Sequence, residues 1–236
     1  MLAAVLLLTP SMVSAQYDIA RLGGVRFSER VESEIVTQSG TAERQRRVVR
    51  TAAFRMVVRG DTLVVTTDTV ALTESVDGAR RAMNVDAVIG ARWKLVLTAR
   101  GTATVVGRPF VPASISDVSD VGTAMDDFFP PAPPKLAMGT AGTDSAGRRW
   151  RRSTDSSGIE RYHFSVTHRG TTRDARDSVT VESSQDATEN TDLAWGAQRG
   201  PVAWSRSILT AVTTRFAGRT VRAQVDQRIV VHRVGW

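Results

Sequence analysis

The chain has 236 residues, no cysteine and a formal net charge of +7, from 31 Lys and Arg against 24 Asp and Glu. Zero cysteine excludes disulfides, thiolate metal sites and cysteine nucleophiles, so burial and strand pairing alone must hold the fold. The excess charge sits late in the chain: residues 1–134 carry 15 basic and 14 acidic side chains, residues 135–236 carry 16 and 10.

The first fifteen residues read MLAAVLLLTPSMVSA. Leu2 to Leu8 is an unbroken apolar run, Pro10 breaks any helix, and Val13 and Ala15 place small residues where a signal peptidase reads them. The run is far shorter than the ~20 apolar residues needed to span a bilayer. A signal peptide over residues 1–15 is expected, with export to the periplasm or medium. It leaves 221 residues, 16–236, as a single β-rich domain.

From Val25 onward the pattern has period two. Val25, Phe27, Val31 and Ile35 face one way while Arg26, Arg30, Glu32 and Glu34 intervene. Trp93, Leu95 and Leu97 alternate with Arg92, Lys94 and Val96. Later, Tyr162, Phe164 and Val166 alternate with Arg161, His163, Ser165 and Thr167. Val221, Ala223, Val225, Ile229 and Val231 alternate with polar neighbours near the end. Such alternation suits antiparallel strands with one buried and one wet face. Gly60-Asp61 and Asp77-Gly78 mark tight hairpins, with Arg100-Gly101 and Ala217-Gly218 as weaker signals. Five or six strands are expected before residue 108 and about five after residue 145.

One segment breaks the period. Ile115, Val118, Val121, Met125 and Phe128 recur every three to four residues, which predicts an amphipathic helix over 114–128, with Ser114 and Asp117 resembling a capping box. Pro130, Pro131, Pro133 and Pro134 then force extended chain. Their apolar flanks, Phe128, Phe129, Leu136 and Met138, favour a buried crossing between two similar halves, 22–112 and 136–236. Two independent domains are the alternative.

Catalytic chemistry finds no foothold. His163, His168 and His232 lack zinc-site spacing; the first and last fall on wet faces and the second near a turn. No nucleophile elbow or phosphate-binding glycine loop occurs. The acidic pairs, Asp126-Asp127 and Asp117/Asp120, lack a calcium-loop pattern. A non-enzymatic protein without cofactors is expected. All but Lys94 and Lys135 of the basic residues are arginine, a bias that a GC-rich genome explains without a nucleic-acid partner.

The stretch RRWRR, 148–152, puts Arg148, Trp150 and Arg152 on one face of a strand and Arg149 and Arg151 on the other. Arginine on both faces suits an edge or protruding hairpin, or a patch for an anionic headgroup or acidic glycan.

The leader, the alternating strands, the mid-chain helix and FFPPAPPKLAMGTAGTD together resemble a group of uncharacterised secreted bacterial β-rich proteins. There a proline-rich P-x-L-x-x-G stretch precedes a second set of strands. Gly142 stands about where that group often carries a tryptophan. More distantly, a long antiparallel sheet curling over a helix is similar to periplasmic lipoprotein carriers, unclosed β-barrels that hold acyl chains. That resemblance implies a lipid or amphiphile as ligand.

The resulting expectation is an all-β, antiparallel fold, an unclosed barrel or two packed curved sheets, with one amphipathic helix near 114–128. An apolar or amphiphilic ligand would lie between sheet and helix, against Trp93, Met125, Phe128 and Phe129. Arg148, Trp150 and Arg152 would meet its head. The alternative is a module binding an envelope protein or acidic glycan through its basic C-terminal face.

Overall fold

The structure, a computed structural model, describes residues 18–98, 103–153, 158–176 and 179–235. The leader-like residues 1–15 and the Arg100-Gly101 turn lie outside them. Among the described residues, twelve strands make one antiparallel sheet. β1 (Arg26–Ser39), β2 (Ala42–Arg59), β3 (Thr62–Val76), β4 (Ala79–Ala82), β5 (Arg92–Leu97) and β6 (Ala103–Gly107) precede a connecting segment. β7 (Ala141–Thr143), β8 (Arg149–Arg152), β9 (Ile159–Arg176), β10 (Val179–Gly196), β11 (Gly200–Phe216) and β12 (Arg219–Val234) follow it.

The strand order is β6-β5-β3-β2-β1-β12-β11-β10-β9-β8-β7, with β4 paired to β3. The sheet is not closed. Its centre is the pairing of the first long strand with the last, from Arg26 opposite Val234 to Ser39 opposite Val221. The fold is all-β, as the alternation predicts, and the turns fall where it places them. Asp77 and Gly78 both have positive φ (48° and 89°), as do Ala217 and Gly218 (45° and 73°). His168 lies within β9 rather than at a turn.

Between β6 and β7 the chain crosses one face of the sheet. The long helix expected over 114–128 is absent. A single turn, α1 (Ala113–Ser116), and a 3-10 turn at Val121–Thr123 take its place. Pro112 stands at the N-cap of α1 with no side-chain cap bond, so the Ser114/Asp117 box does not form. Tertiary partners explain the break. The Gly122 carbonyl accepts from Trp93 Nε1 (3.3 Å) and Arg108 Nη1 (3.1 Å), and Asp120 is drawn to Arg50. Local propensity yields to such contacts. The apolar stripe is nevertheless buried: Ile115, Val121, Met125 and Phe128 all pack into the core.

The prolines belong to this cover. Pro130, Pro133 and Pro134 are buried, as are Ala132 and Leu136, while Met138 is exposed. A buried chain laid across a sheet face cannot pair with the ladder, and proline has no N–H that needs a partner. The core beneath contains residues of both halves, including Phe27, Phe54, Leu63, Trp93, Trp150, Phe164, Trp204 and Val231.

Candidate ligand site on the sheet

The structure brings four of the expected lining residues together, but as packed core. Trp93 and Met125 have no exposed surface, and Phe128 and Phe129 are buried. Phe128 sits at the centre of a ring cluster, 5.8 Å from Phe27, 5.5 Å from Phe54, 5.1 Å from Phe129 and 5.4 Å from Trp204. Aromatic edges on faces at these distances are attractive contacts. Side chains fill the space where a ligand was expected. A cleft of about 220 Å³ remains beside it, walled by Phe128, Trp204 and Ile208 and by the charged Glu29, Arg50 and Asp120.

The arginine stretch turns inward. Trp150 is buried against Phe164, with ring centroids 4.5 Å apart. Arg148 pairs with Asp144 at 3.1 Å. Arg152 pairs with Glu160 at 3.2 Å, donates to the Leu136 carbonyl at 2.8 Å and stands 6.0 Å over the Tyr162 ring. These contacts fasten the crossing's end to β8. Only Arg149 and Arg151 of the strand point to the uncovered face, and β8 lies one strand in from the sheet's end. Asp144 gathers four donors, Trp150 Nε1 at 2.9 Å, the Ala146 backbone N–H at 2.9 Å, and the Arg148 side chain and backbone. Burial opposes its ionisation, yet these bonds hold its carboxyl below the usual range.

Several buried charges escaped the alternation reading, Glu74 and Arg206 among them, and one pair holds the crossing. Glu29 and Arg50 lie on the inward face, between Phe27 and Val31 and between Val48 and Ala52. Both are buried. Arg50 donates to Glu29 at 3.0 and 3.2 Å and reaches Asp120 at 2.5 Å. Burial pushes Glu29 upward in pKa against the opposing pull of Arg50. The phase of the strands was the available signal: an acid and a base occupy inward positions on adjacent strands. The trio ties the crossing to the sheet.

The largest depression among the described pockets is on the opposite, uncovered face, about 630 Å³ in volume. Its floor is two cross-strand rows at the sheet centre. One runs His232, Ser28, Ala53, Thr69; the next runs Val230, Arg30, Thr51, Ala71. Alanine, serine and threonine are short, so neighbouring rows of long side chains stand above them. Below lies the row with Arg228 and Glu32, where Glu32 binds Arg30 and Arg47. Above lies Arg26 directly opposite Arg55. Between those two arginines projects Asp68, the extra residue of a β-bulge where β3 slips between Thr67 and Thr69. Its carboxylate is 3.7 Å from Arg26 and 3.3 Å from Arg55. The arrangement is a trough floored mainly by short side chains, with Arg30 and His232 in the same rows and further arginines at its rim. Sequence reasoning missed it because small residues carry no strong signal, and only the register aligns them.

On the same face His163 Nδ1 lies 3.0 Å from Asp192. Ser205 is opposite Asp192, so the acid stands between histidine and hydroxyl. A nucleophilic triad needs the histidine in the middle.

No protein-family model matches the sequence, and no curated protein matches it. Among solved structures, one on lipid–protein interactions in lipovitellin is similar over 90% of this chain, with a TM-score of 0.57 and 10% identity. This chain spans about a quarter of that one, 25%. Pseudomonas aeruginosa OccK7 and OccK2 each align over 89% of the chain at 8% identity, but with TM-scores of 0.22 and 0.23. The likeness to lipovitellin is one of fold alone.

Proposed function

We propose that this is an exported, non-enzymatic envelope protein that binds a single-chain amphiphile on its sheet. The observation that carries this reading is the 630 Å³ trough at the sheet centre, with Ala53, Thr51, Ala71 and Val230 as floor. Pockets of roughly 300–1,000 Å³ with mostly apolar walls are the usual size for small-molecule ligands. The similar fold in a protein studied for its lipid interactions agrees with it, and the leader-like first fifteen residues support export. The site differs from the groove under the crossing, because Trp93, Met125, Phe128 and Phe129 occupy that space themselves.

The test is calorimetric titration of the purified protein with a monoacylglycerol below its micelle concentration. Saturable binding is expected. Ala53→Trp should abolish it while circular dichroism stays unchanged, because the indole fills the trough. Absence of saturable binding, or undiminished binding in Ala53→Trp, would sink the reading. The mass of the protein recovered from its own producing cells tests export: a mature chain beginning at Gln16 is expected.

A further inference from the structure

Two arginines placed directly opposite each other on neighbouring strands repel, and such pairs are destabilising. Arg26 and Arg55 form one, at the end of the trough, and both are about half exposed, 61% and 49%. A single half-buried acid, Asp68, serves both. It reaches them only because a bulge inserts it into β3. Bulges recur where a sheet re-aims a side chain for function. The contacts at 3.3 and 3.7 Å are ion pairs without a hydrogen bond of good length. Two guanidiniums thus converge on one point with donor capacity to spare. Arg228 adds positive charge across the floor, where Glu32 is already shared by Arg30 and Arg47. In the trough's two floor rows and the rows flanking them, Arg26, Arg30, Arg55 and Arg228 outnumber Glu32 and Asp68.

We infer that the trough selects amphiphiles with an anionic head, a phosphate or carboxylate clamped between Arg26 and Arg55, with Asp68 as the resident competitor. This inference rests on the amphiphile reading above and names the ligand class of that same site. A planar or tetrahedral anion offers several oxygens to two forked guanidiniums, the geometry arginine serves best. The acyl chain then lies over Ser28, Ala53, Thr51 and Ala71. Asp68 offsets the repulsion between the arginines while the site is empty, and its repulsion of the entering anion limits affinity.

The experiment compares three probes by calorimetry: a monoacylglycerol phosphate, the uncharged monoacylglycerol of the same chain, and inorganic phosphate. The phosphate ester should bind about ten-fold tighter than its uncharged partner, a preference that shrinks with salt. Arg26→Gln with Arg55→Gln should erase the preference, bringing the phosphate ester to the same affinity as the uncharged lipid in that variant. Asp68→Asn should tighten the phosphate ester severalfold, a gain that a purely structural acid would not give. Equal affinity for both lipids, or a preference that survives loss of both arginines, overturns the head-group assignment while amphiphile binding stands. Saturable inorganic phosphate binding that is unaffected by Ala53→Trp overturns it in favour of a bare anion site. Failure of both lipids to bind overturns the amphiphile reading and this inference with it.

Discussion

Single residues decide how the cover is held. Arg50 is the clearest case. Its charge is out of water, and its partners Glu29 and Asp120 come from the sheet and the crossing. Arg50→Met leaves the Glu29 carboxylate buried without its cation, a loss of roughly 3–5 kcal/mol for such pairs. Urea denaturation should show it, and Arg50→Met with Glu29→Leu should recover much of the loss; a single variant as stable as the parent would refute the tie. Asp144 offers a pH test. Its folded-state pKa is held low, so it stabilises at neutral pH and that contribution fades as pH falls through the lowered value. The stability gap between the parent and Asp144→Asn should therefore be present at pH 7 and shrink as pH falls below the ordinary aspartate range. Neither role was legible from residue type. Arg148 and Arg152 read as a charged edge or an anion patch, and only the fold shows that Asp144, Glu160 and Leu136 already engage them.

At the scale of elements the sequence is most informative where one local rule decides. The alternation of Phe27, Trp93, Phe164 and Val231 placed each on the buried face, because a strand's period leaves no other option. The hairpin at Ala217-Gly218 formed although alanine dislikes positive φ, by roughly 1–2 kcal/mol. Ala217→Asn should raise the thermal midpoint, with a gain of up to about 1 kcal/mol; an unchanged or lowered midpoint would show that the turn is not strained. The crossing is the counter-example. Its three-to-four spacing reported which residues are buried and not the helix they were assigned to. Gly122 and Asp120 spend their hydrogen-bonding groups on Trp93, Arg108 and Arg50, contacts distant in sequence and so invisible to local pattern.

At the scale of the whole molecule, the two ends of the chain meet at the middle of the sheet. β1 and β12 pair along their length, and Phe27 packs on Trp204 with ring centroids 5.5 Å apart. Residues 18–107 or 136–235 expressed alone would each lose that pairing and expose part of the shared core. Neither is expected to unfold cooperatively by itself, whereas a mixture of the two with the crossing retained should regain a cooperative transition. Cooperative unfolding of an isolated half would mean two independent domains.

By itself the sequence determined the all-β class, the strand phase, the hairpin turns and which residues shun water, because backbone period and burial are local properties. The strand order, the meeting of β1 with β12, the broken helix and the pairing of Arg50 with Glu29 were decided by tertiary structure. So was the trough, which exists only because the register sets short side chains of four strands side by side and brings Arg26 opposite Arg55. Register between strands far apart in the chain depends on the whole sheet assembling, and no stretch of sequence holds that information alone.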